Sequence, residues 1–456
     1  MSRTIMRGVR GAMAGFAMAA LAVTAAPAAY AQGSIRDVEI ETTIRSYWDP
    51  ILRAANIDPA DTELVIVQDS SINAFVTDSH RMFIHTGLIS AVETPNELKG
   101  VIAHETGHMA GMHVSQSREA IGRAMRPAFI SIGLGILAIA AGAPDAGAAL
   151  IAGSQQFAYA DFARFTQAQE SKADQAAATF MEASGQSGQG LLDFANRQFR
   201  YNEMRSASRI PAWMRTHPLW SDRIQALRQR VGEGEHRNVV DTPAEIQSLK
   251  LIQAKLFGYI ERPSRTFIKY PDTDTSVTAR YARSIAAMQS SDFPRADREA
   301  ESLAREFPAN PYYHELVGEI LLNSGRVVES IPHHRRALEL KPDSALLQVN
   351  LGRALTAVKT DASNEEAITV LQAATRIEPN NATAWFELSQ AYDRKGDEGM
   401  ARLASAELRF AVGDYAAARS FAERAKERLP RETQSWVRAA DIATISETKV
   451  RAAQRG

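Results

Sequence analysis

The stretch Val101-Ile102-Ala103-His104-Glu105-Thr106-Gly107-His108 has the residue types and spacing for metal chemistry. On an α-helix, His104 and His108 lie on one face about a turn apart, so two imidazoles can reach one ion. Glu105 stands beside them, close enough to take a proton from a water that the ion polarises. This is the His-Glu-x-x-His pattern of metal-dependent proteases, with two ligands and a general base. The flanks predict a helix independently of the motif. Thr94 can cap it, Pro95 suits the first helical position, and Glu97 completes a Thr-x-x-Glu capping box. Leu98, Val101 and Ile102 supply an apolar side. The plain alternative is a chance match on a helix carrying two ordinary histidines, and the cap and apolar flank speak against it.

Two histidines leave a catalytic zinc short of a third protein ligand. A metzincin would place one at position 114, which is Val. His113 is one residue early and would point away from the His104/His108 face, so it reads as a surface histidine. Glu170 is the better candidate. It opens Glu170-Ser171-Lys172-Ala173-Asp174, within a helical pattern from about Ala160 to Ser184 that ends at Gly185. Glu170 and Asp174 share a face, so Glu170 can bind the ion while Asp174 accepts the second N–H of a ligand histidine. Alone, Glu-x-x-x-Asp is common on solvated helices; beside His-Glu-x-x-His it becomes specific.

With these residues the chain resembles the HtpX-like and CAAX-prenyl-endopeptidase-like gluzincins. It is most similar to the periplasmic branch that joins this protease domain to tetratricopeptide repeats. The resemblance also covers Asn73-Ala74-Phe75, Thr216-His217-Pro218 and Ala254-Lys255-Leu256-Phe257-Gly258. It implies a zinc endopeptidase with one Zn2+ per chain, held by His104, His108 and Glu170, with Glu105 as the catalytic residue. It implies a substrate held in extended form along the edge strand Asn73, Ala74 and Phe75, a binding mode with little sequence preference. It places His217 near the metal, where it either stabilises an oxyanion or occupies the open position and holds the enzyme off. Arg223 then orients the cleft or meets developing negative charge. Spacing alone leaves His217 equally well in a helix-capping loop.

Composition bounds these readings. A chain of 456 residues with 45% hydrophobic residues has room for two or more domains with real cores. Its net charge of −1 gives no sign of nucleic-acid binding. It has no cysteine, which excludes disulfides, a thiol nucleophile, a Cys-rich zinc site and a lipoprotein anchor. Residues 1–31 read as a cleavable secretory signal. Arg3, Arg7 and Arg10 precede an apolar run from Ala12 to Ala26, and Ala29-Tyr30-Ala31 offers cleavage after Ala31. The expected location is the periplasm.

The elements that must position the site follow. Residues 34–56 read as an amphipathic helix. Glu63–Gln68, Asn73–Val76 and Arg81–Leu88 read as short strands, the last two joined by a turn at Thr77–His80. His80 and His85 read as surface or strand residues. Residues 127–153 are strongly apolar but broken at Pro144 and Asp145, and read as a helical hairpin. It is either buried core or, over 128–153, a flap or peripheral membrane contact. A helix follows from Ser221 to about Val231. Gly232–Thr275 connects the halves through one helix, Pro243–Tyr259.

Beyond it the composition shifts to repeats. Gly318 and Gly352 are 34 residues apart, the tetratricopeptide period. With Gly318 at position 8, Ala337 falls at position 27 and Pro342 at position 32. Trp385, Leu388, Tyr392 and Ala401 fit positions 4, 7, 11 and 20 of another unit, and Gly413, Ala418, Ala425 and Pro430 mark the last. Pro308, Pro342, Pro379 and Pro430 end successive helix pairs, with a small insertion near Lys359–Asn364. Four or so units would stack into a superhelix with a concave face for a partner.

The expected fold is mainly α: a gluzincin domain with a small β-sheet, followed by an α-solenoid of tetratricopeptide repeats. The expected divisions are a signal peptide at 1–31, a metallopeptidase domain at 32–235, a connector at 236–275 and repeats at 276–456. The expected substrates are unfolded or misfolded exported proteins, with the outer-membrane β-barrel assembly machinery as the setting the resemblance implies. The alternative is a repeat-based chaperone or adaptor whose metal site is vestigial or shut.

Overall fold

The computed structural model describes residues 33–77, 79–112, 116, 165–203, 217 and 221–454. The signal reading at 1–31, His113 and the apolar stretch 127–153 lie outside these residues. The chain divides into two compact units, one reaching Gln253 and the other running from Ala254 and including Arg36–Glu39. No helix among the described residues is long and apolar enough to cross a membrane.

In the first unit, β1 (Ser34–Ile35) precedes α1 (Val38–Ala54). The expected helix at 34–56 thus starts later, because Ser34 and Ile35 pair antiparallel with Val67 and Ile66 of β2 (Glu63–Val67). Then come β3 (Ala74–Val76), β4 (Arg81–His85), α2 (Thr86–Ala91) and α3 (Pro95–Ala110). The predicted strand through Leu88 stops at His85, where the chain turns into α2. The strand order is β1-β2-β4-β3, with β2 and β4 parallel and β3 antiparallel to β4 at the edge. Met82, Ile84, Ile66 and Ala74 alternate onto one buried face of the sheet. A helix over 165–183 (α4), α5 (Gln189–Glu203) and α6 (Ser221–Gly232) complete the element list up to the connector.

α3 is buried on nearly every side, unlike an ordinary surface helix. Its start is fixed by Pro95 and by Thr94, whose hydroxyl accepts the Glu97 N–H at 3.1 Å. The predicted capping box closes differently. The Glu97 carboxylate accepts the N–H of Glu93 at 2.7 Å and pairs with Arg197, rather than returning to Thr94. Trp48 of α1 donates its indole N–H to Thr106 Oγ1 at 3.0 Å, fixing the motif helix from a third direction.

The connector holds two helices where one was expected: α7 (Pro243–Ile260) and α8 (Pro263–Lys269). In the second unit, Lys255 is buried with its Nζ 2.7 Å from Asp37 and 3.4 Å from Glu39, which also accepts the Tyr281 hydroxyl at 2.6 Å. This accounts for a lysine inside the apolar segment Ala254–Gly258.

The repeats run from α9 (Val277–Gln289) and α10 (Phe293–Glu306) through α11 (Pro311–Asn323), α12 (Val327–Leu340), α13 (Ala345–Val358) and α14 (Asp361–Ile377). They continue with α15 (Ala382–Lys395), α16 (Glu398–Ala411), α17 (Tyr415–Lys426) and α18 (Gln434–Ala453). Gly318 lets α11 approach α12, since a Cβ there would lie 2.7 Å from the His334 ring. The insertion expected near Lys359–Asn364 is instead extra length in α14, which has 17 residues where α10, α12 and α16 have 14.

The array is not a simple series of pairs. Pro342 follows Pro308 by 34 residues, but Pro430 follows Pro379 by 51, one and a half periods, and three helices lie between them. α16 accordingly serves twice. Its Ala401 and Ala404 join the core that holds α13, α14 and α15, while Leu403 and Ala406 join the next, with Ala418, Ala422 and Ile442. First helices pack on one another from α9 to α11, α13 and α15; the next substantial contact of this kind joins α16 to α18. The stacking slips by half a repeat at α16.

Candidate metal centre

Glycine at position 107 is what lets the two site helices meet. A Cβ there would lie 2.8 Å from the Ala173 carbonyl oxygen, so a larger residue would force α3 and α4 apart. With the helices in contact, His104 and His108 from α3 face Glu170 from α4. The His108 Nε2 is 3.2 Å from one Glu170 oxygen, and the His104 Nε2 is 3.4 Å from the other. His217, ahead of α6, joins them, with its Nδ1 3.2 Å from both Glu170 oxygens and 3.2 Å from His104 Nε2. One ligand atom from each of these four buried residues lies within 4.8 Å of all the others.

Asp174 and Arg223 surround this cluster. Asp174 lies a turn beyond Glu170 and sits 2.9 Å from His104 Nδ1. A carboxylate accepts only, so His104 donates to it from Nδ1, and its Nε2 faces the cluster. Arg223 binds Asp174 through Nε and Nη2 and reaches Glu170 with Nη1 at 2.8 Å. Its guanidinium therefore orients two acidic groups; the sequence had offered it a place in the cleft or opposite an oxyanion. Glu105 is 1% exposed; its Oε1 lies 3.3 Å from His217 Nε2 and accepts no hydrogen bond among the described residues. Asn73, Ala74 and Phe75 sit elsewhere, at the sheet edge; β3 packs on α3, and the Asn73 carbonyl accepts the His85 N–H at 3.1 Å.

The electrostatics follow from burial and charge. Burial pushes the Glu105 carboxyl up, and the neighbouring His217 and His104 only partly oppose it. Burial also works against a charged His104, but hydrogen bonds to Asp174 and Glu170 outweigh it and bring its pKa up to about 9. His108 is pushed down to about 3, chiefly by burial. Burial would raise Glu170, yet His217, His104 and His108 hold it far below the usual carboxylate range. Asp174 is lowered to about 2 because Arg223 outweighs its burial.

The donor set fits a metal ion. Ring nitrogens of His104 and His108 face each other at 3.1 Å, beside a carboxylate whose pKa keeps it ionised. A cation there would replace the proton that Asp174 and Glu170 favour on His104 and would meet the lone pair that burial leaves on His108. Imidazole nitrogens with one carboxylate are a common zinc donor set.

The fold and site define a domain with a buried donor cluster fit for a metal ion, followed by helical repeats, and comparisons with known proteins add the family. Residues 36–231 match the model of peptidase family M48, and 281–345 and 363–396 match tetratricopeptide-repeat models. Residues 36–231 thus carry a domain of peptidase family M48, and tetratricopeptide repeats follow it. It is 22% identical over 369 residues to the β-barrel assembly-enhancing protease of Yersinia pestis, covering 79% of this chain and 74% of that protein. It is 23% identical to the protein of that name in Escherichia coli strain K12, covering 78% and 72%. Among solved structures, the tetratricopeptide protein YrrB has a TM-score of 0.31 at 18% identity, over 37% of this chain and 88% of that one. That likeness is too loose to argue from.

Proposed function

We propose that the chain is a periplasmic zinc-dependent endopeptidase that hydrolyses misfolded or stalled exported proteins. Its setting is outer-membrane protein quality control, and its repeats recruit substrate or a partner. The observation that carries the reading is the convergence of His104 Nε2, His108 Nε2 and the Glu170 carboxylate beside a buried Glu105. The names of the relatives, which share about 80% of the chain, support outer-membrane β-barrel assembly as the setting.

His104, His108 and Glu170 would hold the zinc, which supplies Lewis acidity toward a water and a peptide carbonyl. Glu105 takes the proton of the attacking water and delivers it to the leaving amine; burial raises its carboxyl, which favours holding that proton between the two steps. Asp174 keeps the proton on His104 Nδ1, and Arg223 keeps Asp174 and Glu170 ionised and aimed. β3 offers an edge along which an extended substrate can lie.

The position of His217 favours a second element, latency. A catalytic zinc keeps one position open for water, whereas four protein donors close the site. With His217 as a fourth donor the site would be closed to water, and the enzyme would work once His217 withdraws. The test is zinc content and casein cleavage for the mature chain, Glu105→Gln and His217→Ala. About one zinc per chain, activity lost in the Glu105 variant and increased in the His217 variant is the expected pattern. Zinc-free, inactive protein throughout would turn the reading to a repeat-based adaptor.

A further inference from the structure

The half-repeat slip leaves a cavity of about 460 Å³ in the second unit. Its walls come from α14, α15, α16 and α18. In an even array, the helix two places beyond α15 would cover α15's flank. Here α16 takes over that role toward α18, and the space between α14 and α18 stays open.

The chemistry of the cavity is asymmetric. Leu388, Leu403 and Ala404 form a buried apolar floor, with Trp385 and Met400 beside them. On the α18 wall, both oxygens of the buried Glu407 accept from Arg438 at 2.6 and 2.7 Å, which neutralises that arginine, and Asp441 stands beside it. On the α14 wall, Arg376 is exposed and forms no ion pair among the described residues. The cavity wall also leaves apolar surface in water, since Val437 is 46% exposed. A large apolar side chain would find dry contacts at the floor, and an acid beside it would meet the one unmatched cation of the groove.

We propose that this groove binds a peptide segment of a partner protein in which a large apolar residue adjoins Asp or Glu. The apolar side chain lies over Trp385 and Leu403, and the carboxylate meets Arg376. The binding is independent of the metal centre; it names a partner class for the repeats and so rests on the reading that they recruit one.

The test is an array of ten-residue Gly/Ser peptides, each carrying Phe, Leu or Ser at the centre and Glu, Gln or Lys next to it. It is probed with the full chain and followed by fluorescence anisotropy. The expected result is binding to the Phe-Glu and Leu-Glu peptides, at least tenfold weaker for Ser-Glu and Phe-Gln. Arg376→Glu, a surface change on a helix end, should shift the preference from Glu to Lys. Trp385→Ala, which removes the ring that the apolar side chain lies over, should weaken binding at least tenfold; both variants should keep the wild-type helix content by circular dichroism. Retention indifferent to the neighbouring charge, an unchanged pattern in Arg376→Glu, or no peptide held above Ser-Gln would overturn the proposal. A concentration-dependent dimer lost in Trp385→Ala, without peptide binding, would assign the groove to a second copy and overturn it equally.

Discussion

At Glu105 burial and chemistry meet. Its carboxyl is pushed up by burial, and one oxygen accepts no hydrogen bond among the described residues, so it has capacity for a proton and for a water. Glu105→Gln keeps the shape and removes that capacity. Cleavage should fall by about 10²–10⁴-fold or more while zinc content and melting temperature stay level; metal analysis and a peptide-release assay check this. Arg223 makes a different prediction. It binds Asp174 and Glu170, so Arg223→Gln should act through those carboxylates. Zinc affinity should fall by about 10–100-fold, and competition with a chromophoric chelator measures it. An unchanged affinity with lost turnover would place Arg223 on the substrate instead. Glu170 and Asp174 were legible as a pair because four residues on a helix share a face. The contact of Arg223 with both was not, since 49 residues separate it from Asp174.

At the scale of elements, the approach of α3 to α4 rests on Gly107. Gly107→Val would drive a side chain into the Ala173 backbone 2.8 Å away. It should cost about 1–3 kcal/mol by overpacking and weaken metal binding, because it separates His104 from Glu170; denaturant unfolding and zinc titration report the two effects separately. In the repeats, α11 lies on His334 of α12, a ring that burial pushes down to about 4 from an ordinary 6.5. The unfolded chain therefore takes up a proton below pH 6.5 that the folded chain refuses until about pH 4. Stability is full above pH 6.5 and falls as pH drops through that window, by about 3 kcal/mol over its whole width. Urea midpoints of the repeat transition at pH 7 and pH 5 should separate in the wild type and draw together in His334→Phe. The helices themselves were legible from period and punctuation. The half-repeat slip was also written in the sequence, as Ala401 and Ala418 only 17 residues apart at the same repeat position. It was missed because proline counting assumes that helices come in pairs.

At the scale of the whole molecule, the donor cluster fit for a metal ion lies in the first unit among the described residues. Zinc bound by the folded site and not by the unfolded chain stabilises that unit, by about 2.7 kcal/mol when free zinc is a hundredfold above its dissociation constant. Chelation should lower the unfolding transition of the first unit and leave that of the repeats in place. Calorimetry with and without a chelator, followed by hydrogen exchange on α3 and α13, distinguishes the two. A joint shift of both transitions would show that they unfold together.

The sequence by itself determined the two histidines, the adjacent glutamate, the second acidic helix and the repeat period, because each is a local pattern on one helix or a strict periodicity. Tertiary structure alone decided what lies beside them. It brought His217 into the cluster from beyond α5, set Arg223 across two carboxylates, and turned Glu97 from Thr94 toward Glu93 and Arg197. It also moved Ser34 and Ile35 from a helix into a sheet. The physical reason is common to all four. Spacing along a chain fixes which groups share a helix face, but the partner of a buried charge or an unpaired strand is chosen by packing between elements remote in sequence.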